Sequence, residues 1–464
     1  MVLIEEYEQS SESAHESLQE FVRHRPSLEG SSGSTKGLKE PEIPEHVDSK
    51  SVELVAQAAV PLSGSWVWFE RSGLYEEKIK VQRWFTGVVE RLLRVLAAID
   101  PAGDEVVARE VTKVMIMYCY EDYPWSTPKL RSIAVNWLEK ASLQDHKEVL
   151  ASIIESIKPL FTSHPRVSAA GRKKAEAVKN RLVPREPERY FEWKEENQWA
   201  LAMLEYCVSH MESEQIASHW AFIVPAVLNV LDDGEILIKA VGCRCAKAVV
   251  ERAPSKILTS SGVADLFSSD LWPAMKFLPP SVEPALSKTI LKHSFEALLE
   301  IATVSKPESL DLLMEEVIYG LTFANQYIEV AETLMRSAML IIPKLGTYTV
   351  RHLQELVKVF VSMLSDPFSG VYQPLIRQAC ELLILTIQYC WMRIDGYKYD
   401  ILRALIVAWD KTHGDNPGAA NKGQVSLTEE SLKRVLTLVQ DVTTIDLEPI
   451  VAEWPSAQWI TQTS

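Results

Sequence analysis

Two neighbouring stretches of sequence, WAFIVPAVLNVL at residues 220–231 and IKAVGCRCAKAV at residues 238–249, decide the fold. In each of them apolar or small residues fall at offsets 0, 3, 4, 7, 8 and 11 from the first residue. That spacing places them on one face of an α-helix, since the helix repeats every 3.6 residues. A short polar turn at residues 232–235 separates the two stretches, so they predict a pair of amphipathic helices.

The same pair of patterns returns later in the chain, at residues 353–364 and 376–387. The first helices of the two pairs start 133 residues apart and the second helices 138 apart. Both intervals correspond to three periods of about 44 to 46 residues, the length of a HEAT or armadillo repeat. The recurrence predicts an all-α protein, an α-α superhelix built as a HEAT/armadillo-like repeat solenoid. A weaker stripe of the same kind consists of Leu313, Val317, Leu321, Ala324 and Ile328.

Residues at the turns favour the HEAT version of this repeat. Its consensus has a proline in the first helix, an aspartate in the turn, and an aliphatic residue followed by a base at the start of the second helix. Pro225, Asp232 and Lys239 occupy these places in the first pair. Asp366 and Arg377 do so in the second pair, which lacks the helix proline. The aspartate can cap the exposed N–H groups of the second helix, and the base can bridge to neighbouring repeats.

Composition and charge narrow the class of protein. The 464 residues are 47% hydrophobic and 24% charged, with a mean hydropathy of -0.03, which is typical of soluble globular chains. The excess of 63 acidic over 48 basic residues gives a net charge of -15, which repels a nucleic-acid backbone. No apolar run reaches membrane-spanning length, and all six cysteines lie in apolar helical stretches. We therefore expect no nucleic-acid or membrane partner, reduced cysteines, and a cytoplasmic location with the nucleus as a second compartment.

Breaks in the apolar pattern predict the organisation of the chain. Residues 1–26 read as an N-terminal helical segment that ends at Pro26. Residues 27–60 begin with a stretch rich in Gly, Ser, Pro and charge, which buries too little apolar surface to fold, and they predict a disordered linker. Residues 61–464 are predicted to form the HEAT-like solenoid, interrupted by a disordered loop at about 413–424.

No motif for nucleotide binding or covalent chemistry occurs in the sequence. Neither phosphate-binding glycine motif is present, and the serine motif G-x-S-x-G is absent. Cys243 and Cys245 diverge by about 200° on a helix, so they predict core packing and not a metal site. The sequence predicts that the protein is not an enzyme and that it needs no cofactor and no metal.

Two further features leave their interpretation open. Residues 171–189 hold seven Lys or Arg against three Glu, which fits either an acidic or phosphorylated partner peptide or a solvated helix. Several tryptophans sit near the ends of the chain, and they fit either interface anchors or caps over the terminal repeats. These are Trp66, Trp68, Trp454 and Trp459.

The stretch IQYCWMRIDGYKYDILRALIVAW at residues 387–409 resembles a specific family, that of Tel-two-interacting protein two, the smallest subunit of the Triple-T cochaperone complex. The likeness consists of a Cys-Trp-x-Arg-Ile core, a tyrosine shortly after it, and an apolar helix that closes on a tryptophan. Met392 stands where that family has a proline. The residues that carry the likeness are Cys390, Trp391, Arg393, Ile394, Tyr397 or Tyr399, and Trp409.

The resemblance implies a function in assembly. Family members form a complex with Tel-two protein and Tel-two-interacting protein one, and this complex works with the Hsp90 machinery to mature PI3K-related kinases. It implies a docking surface for a larger repeat protein, and the residues expected there are Arg377, Trp391, Arg393, Tyr397 and Trp409. The alternative for the two tryptophans is a place in the buried core. The alternative functions are a HEAT adaptor for nuclear transport or phosphatase assembly, and an α-helical enzyme whose site is too scattered to recognise.

Overall fold

α-Helices form nearly all of the regular structure, as the apolar pattern predicted. The computed structural model contains no β-strand among the residues it describes, and a single isolated antiparallel bridge joins Val167 and Lys173. The described residues are 2–28, 39–44, 51–64, 66–68, 75–101, 103–141, 146–174, 191–366, 372–413 and 422–463.

The helices are numbered in chain order. The first ten are α1 (Val2–Arg23), α2 (Val52–Ala59), α3 (Glu76–Ala97), α4 (Glu105–Tyr118), α5 (Pro128–Lys140), α6 (His146–Ile157), α7 (Glu192–Glu195), α8 (Ala200–His210), α9 (Ser213–Ser218) and α10 (Trp220–Leu231). The next six are α11 (Ile236–Arg252), α12 (Ser255–Ser261), α13 (Val263–Leu271), α14 (Pro284–Val304), α15 (Ser309–Ala324) and α16 (Ile328–Leu345). The last five are α17 (Leu353–Ser365), α18 (Gln373–Ile394), α19 (Lys398–Thr412), α20 (Lys422–Val442) and α21 (Glu448–Glu453).

The chain divides into two units. The first consists of residues 1–233 and 252–263, and the second of residues 234–251 and 264–464. In the first unit α2 packs against α3 and α4, α3 against α5, and α8 against both α4 and α6.

The second unit shows the stacking that a repeat protein requires. Helices α14, α16, α18 and α20 contact one another in succession and form one layer, and α15, α17 and α19 form a second layer in the same way. Chain neighbours such as α15 and α16, or α17 and α18, pack across the two layers. Each helix therefore buries its apolar face mainly against adjacent hairpins, as in helical-repeat proteins. The predicted all-α, α-α superhelix class is confirmed.

The recurring apolar template marks the buried faces of four helices. All six template positions of α10, from Trp220 to Leu231, are buried, and so are all six of α11, from Ile238 to Val249. In α17 and α18 the only template positions that are not fully buried are Val361 and Ile384, which are half-buried. Local periodicity thus identified the core side of each helix correctly.

The predicted linker at residues 27–60 is wrong at its end, because residues 52–59 form α2. Three side chains of this helix, Val55, Ala58 and Ala59, are completely buried, and the helix packs on its neighbours α1, α3 and α4. Helix α2 has too few apolar residues for the 3.6-residue period to distinguish it from a linker. They are nevertheless enough to attach it to the neighbouring helices. Residues 29–38, 45–50 and 414–421 lie outside the described part of the chain.

Aromatic side chains fill the core of the first unit. Trp66 is 4% exposed and packs edge-on against Phe85 and Trp125, with ring centroids 6.3 and 5.7 Å away. The indole N–H of Trp68 donates to Gln198 Oε1 at 3.0 Å, and its ring packs on Trp125. Both tryptophans therefore pack inside the first unit, which argues against the interface-anchor interpretation for these two.

Candidate protein-binding surface

The corner between α18 and α19 presents several large exposed side chains. Trp391 is 54% exposed and Met392 is 75% exposed at the last turn of α18, and Arg393 beside them is exposed as well. Tyr399, at the start of α19, is 57% exposed. Exposed aromatic and methionine side chains next to an arginine form the composition that is enriched in protein interfaces.

Contacts within the chain hold this corner in place. Ile394 is completely buried and anchors the end of α18. Lys398 donates hydrogen bonds from Nζ to Asp395 Oδ1 and to the carbonyl of Thr444, both at 2.8 Å. The hydrogen bond to Asp395 raises the pKa of Lys398, so the lysine stays charged. The exposed residues therefore stand on a fixed backbone and would lose little freedom on binding.

Trp409 has a different environment, because it packs inside the chain. Its ring stacks on Trp459 with centroids 4.2 Å apart and planes 12° from parallel. His413 stacks on it at 4.7 Å, and the Lys433 ammonium lies 5.4 Å from its ring centroid. Trp459 itself is 6% exposed. Trp409 thus covers the C-terminal residues 455–463, while Trp454 is 41% exposed.

The five residues expected at the docking surface fall into two groups. Trp391, Arg393 and Tyr397 all come from the last turn of α18 and the turn that follows it, although Trp391 and Arg393, two positions apart on one helix, point in directions about 200° apart. Arg377 precedes Trp391 by fourteen positions on α18, about 21 Å along the helix axis, and Trp409 lies eleven positions after the start of α19, about 16 Å along that helix. Contact with all five therefore needs a partner that reaches around the end of α18 and spans the length of the hairpin.

The buried thiols are not arranged for chemistry. Cys243 and Cys245 are both completely buried in α11, which confirms their predicted place in the core. Burial raises the pKa of Cys243 and of Cys380 to about 12, and that of Cys390 to about 11. These thiols therefore stay protonated at neutral pH and lack the nucleophilic thiolate form. Among the described residues no group of three or more His, Cys, Asp or Glu side chains is placed to hold a metal ion.

Two cavities on the described surface have the form of open grooves. One of about 560 Å³ lies between α18 and α20 and is lined by charged side chains such as Glu429, Lys433 and Asp441. Another of about 680 Å³ in the first unit includes Phe161, His164 and Phe222. Small-molecule sites enclose most of their ligand in apolar walls, and these two grooves do not have that form.

Sequence reasoning missed a second exposed group, on α15. It recognised the stripe from Leu313 to Ile328, and all of that stripe is buried except Ile328. On the opposite side of the same helix three large side chains are exposed, Leu312 at 54%, Tyr319 at 45% and Phe323 at 60%. The available signal was that α15 is apolar on both faces, which is unusual for a surface helix.

Stacked helical hairpins that expose aromatic side chains and open grooves define an all-α helical-repeat protein of the kind that binds other proteins. None of the described helices is long and apolar enough to cross a membrane. The model of the Tti2 family matches residues 111–370, which is more than half of the chain. The chain belongs to the Tti2 family. The stretch at residues 387–409 that carried the resemblance lies outside the matched region.

Two relatives support this assignment. TEL2-interacting protein 2 of Saccharomyces cerevisiae is 22% identical over 338 residues, which cover 65% of this chain and 77% of the relative. Human TELO2-interacting protein 2 is 23% identical over 309 residues, which cover 61% of this chain and 54% of the relative. The chain therefore spans about half the length of the human protein.

Solved structures offer only distant likenesses. Importin beta matches with a TM-score of 0.42 and 11% identity, over 89% of this chain and 50% of that structure. The karyopherin Kap121p, bound to the extreme C-terminus of the protein phosphatase Cdc14p, matches with a TM-score of 0.42 and 12% identity, over 88% of this chain and 39% of that structure. At this level of likeness the two structures add nothing to the family assignment.

Proposed function

We propose that this chain is a non-catalytic scaffold subunit of the Triple-T cochaperone complex. In this role it binds Tel-two-interacting protein one and Tel-two protein in the cytoplasm and nucleus. Through that complex it assists the Hsp90-dependent maturation of PI3K-related kinases. The observation that carries the proposal is membership of the Tti2 family, whose yeast and human members are named for interaction with the Tel2 protein.

The structure supports a binding function through the α18–α19 corner. Trp391 and Met392 are exposed on a backbone fixed by Ile394 and Lys398. Burying two such side chains against a partner would contribute roughly 1.5–3 kcal/mol each. The thiols of Cys243, Cys380 and Cys390 stay protonated at neutral pH, which supports a non-catalytic function.

Affinity purification from cells of the source organism, followed by mass spectrometry, tests the proposal. The proposed function requires Tel-two protein, Tel-two-interacting protein one and at least one PI3K-related kinase among the captured proteins. Capture of transport factors or phosphatase subunits without these three would instead support the adaptor function.

Charge reversal at the predicted surface tests the placement. The double variant Arg377→Glu and Arg393→Glu should reduce capture of Tel-two-interacting protein one at least about tenfold. The reason is that a partner surface complementary to two arginines would then face two acidic side chains. Lys358→Glu is the matched control, since Lys358 is an exposed base on α17. An intact complex with the double variant would rule out these arginines as part of the surface.

A further inference from the structure

The outward face of α15 is an ordered apolar surface about three turns long. Leu312, Tyr319 and Phe323 follow one another at intervals of seven and four residues, so they lie along one side of the helix and span about 16 Å. Scattered single apolar side chains are normal on a protein surface, but contiguous ones mark interaction sites. The positions i, i+7 and i+11 lie on one helix face, as do the anchor residues through which one helix recognises another.

The side chains of this face are held in position by their neighbours. The rings of Tyr319 and Phe323 lie 4.5 Å apart at 46°. The Lys276 ammonium lies 4.5 Å from the Tyr319 ring centroid and forms an ion pair with Glu316. Beneath them Gly320 is buried so closely that an added Cβ would lie 2.7 Å from a methyl carbon of Leu334. A rigid aromatic platform loses little entropy when a partner binds.

The charge around the face is acidic. Helix α15 carries three carboxylates and no basic side chain. Lys276 neutralises Glu316, Arg351 forms an ion pair with Asp311 at 2.7 Å, and the His352 ring lies within hydrogen-bond distance of the same carboxylate, at 2.9 Å. Glu315, which is exposed between Leu312 and Tyr319, has no basic partner among the described residues, and neither has the exposed Glu308 at the start of the helix. The apolar stripe is therefore bordered by uncompensated negative charge.

We propose that this α15 face is the docking site for a basic amphipathic helix of a partner protein. The inference rests on the proposed function in that the partner is a protein of the assembled complex. A second copy of this chain does not fit, because it would bring Glu308 and Glu315 against the same acids. A lipid surface does not fit either, because helices that lie on anionic membranes border their apolar face with Lys and Arg.

Site-specific photo-crosslinking in the assembled complex tests the docking site. The full-length chain is co-expressed with Tel-two-interacting protein one and Tel-two protein, with p-benzoylphenylalanine in place of Phe323. The matched control carries it in place of Ser362, which is exposed on the polar side of α17. We expect irradiation to join position 323 to one helical segment that contains Lys or Arg, and position 362 to give at most a tenth of that yield.

Three results would overturn the proposal. They are an assembled complex in which position 323 gives no more crosslink than position 362, a crosslink to a second copy of this chain, and a crosslinked segment that is acidic. If no complex assembles, the proposed function fails, and the docking face is decided by a measurement that needs no complex.

That measurement uses two labelled synthetic peptides of about fourteen residues, long enough for roughly four helical turns. They share the same leucine face and differ only in carrying Lys or Glu beside it. Fluorescence anisotropy should show the lysine peptide binding at least about tenfold more tightly, with Phe323→Ala weakening it about tenfold and Ser362→Ala leaving it unchanged. Equal affinity for both peptides, no binding of the lysine peptide, or insensitivity to Phe323→Ala would refute the docking site.

Discussion

Helices α15 and α17 are neighbours in one layer of the second unit, and they differ on the side that faces away from the core. Both bury an apolar stripe, with Leu313 and Val317 in α15 and Leu356 and Phe360 in α17. The outward side of α17 is polar, and its exposed residues are Gln354, Glu355, Lys358 and Ser362. The outward side of α15 exposes Leu312, Tyr319 and Phe323 instead.

The comparison shows which apolar residues of a helix are needed for folding and which are not. One buried stripe is enough to attach a helix to its layer, as α17 demonstrates with a polar outer face. The second apolar stripe of α15 is therefore not explained by packing within the described residues of the unit. Binding to another molecule explains why these apolar side chains are exposed to solvent.

The largest expected effect concerns the buried stripes. Phe360→Ala should lower the free energy of unfolding by about 3–5 kcal/mol, because it leaves a cavity in the core, whereas Phe323→Ala should cost about 1 kcal/mol or less, because that ring is 60% exposed. Urea unfolding followed by circular dichroism measures both. Similar losses in the two variants would show that Phe323 is part of the fold.

The next effect concerns partner affinity. Phe323→Ala should weaken the proposed complex with Tel-two-interacting protein one and Tel-two protein by about 2 kcal/mol, roughly thirtyfold in Kd, since a central aromatic anchor of the α15 face is lost. Lys358→Ala on α17 should leave the affinity unchanged. Surface plasmon resonance with the purified proteins measures the affinity of both variants. Equal affinities would show that the outward face of α15 contributes no more to binding than that of α17.

A smaller effect is expected for the uncompensated acid. Glu315→Lys should weaken the same complex by about 1 kcal/mol, mainly through slower association, and the loss should shrink as salt is raised. Glu355→Lys provides the control because Glu355 is an exposed acid on α17. Association rates of both variants are measured at two salt concentrations. A loss of affinity for Glu315→Lys that does not depend on salt would argue against an electrostatic origin.

The smallest effect tests the order of the aromatic platform. Lys276→Met removes both the cation over the Tyr319 ring and the ion pair with Glu316, and it should cost about 0.5–1 kcal/mol of stability. Lys358→Met, which removes an exposed lysine from α17, should change stability by about 0.5 kcal/mol or less. Indistinguishable unfolding midpoints for the two variants would mean that the contact with Tyr319 contributes nothing.

The sequence predicted the parts of the structure that depend on local spacing. The buried faces of α10, α11, α17 and α18 follow from the 3.6-residue period, because a residue's place on a helix depends only on its neighbours along the chain. Helix α2 was missed because eight residues are too few to display that period clearly. Its stability comes from α1, α3 and α4, which local spacing does not describe.

The candidate surface was less predictable because exposure depends on distant residues. Trp391 and Trp409 looked alike in the sequence. In the structure Trp459, fifty positions after Trp409, stacks on Trp409, whereas Trp391 is exposed. Asp232 was expected to cap a helix, and its carboxylate accepts hydrogen bonds from His164 and Arg166, more than sixty positions earlier. Such pairings follow from the fold and not from any short pattern.

The stacking of Trp459 on Trp409 also bears on how this protein can be handled. Residues 455–463 pack against α19 and α20, and two of them, Ala457 and Ile460, are completely buried. A fragment that ends at Trp454 would expose the indole of Trp409 and the apolar surface of α19 and α20 that residues 455–463 cover. We expect such a fragment to aggregate during purification. Truncations that remove residues 455–463 and abolish binding therefore need a check of solubility before the loss is assigned to a partner surface.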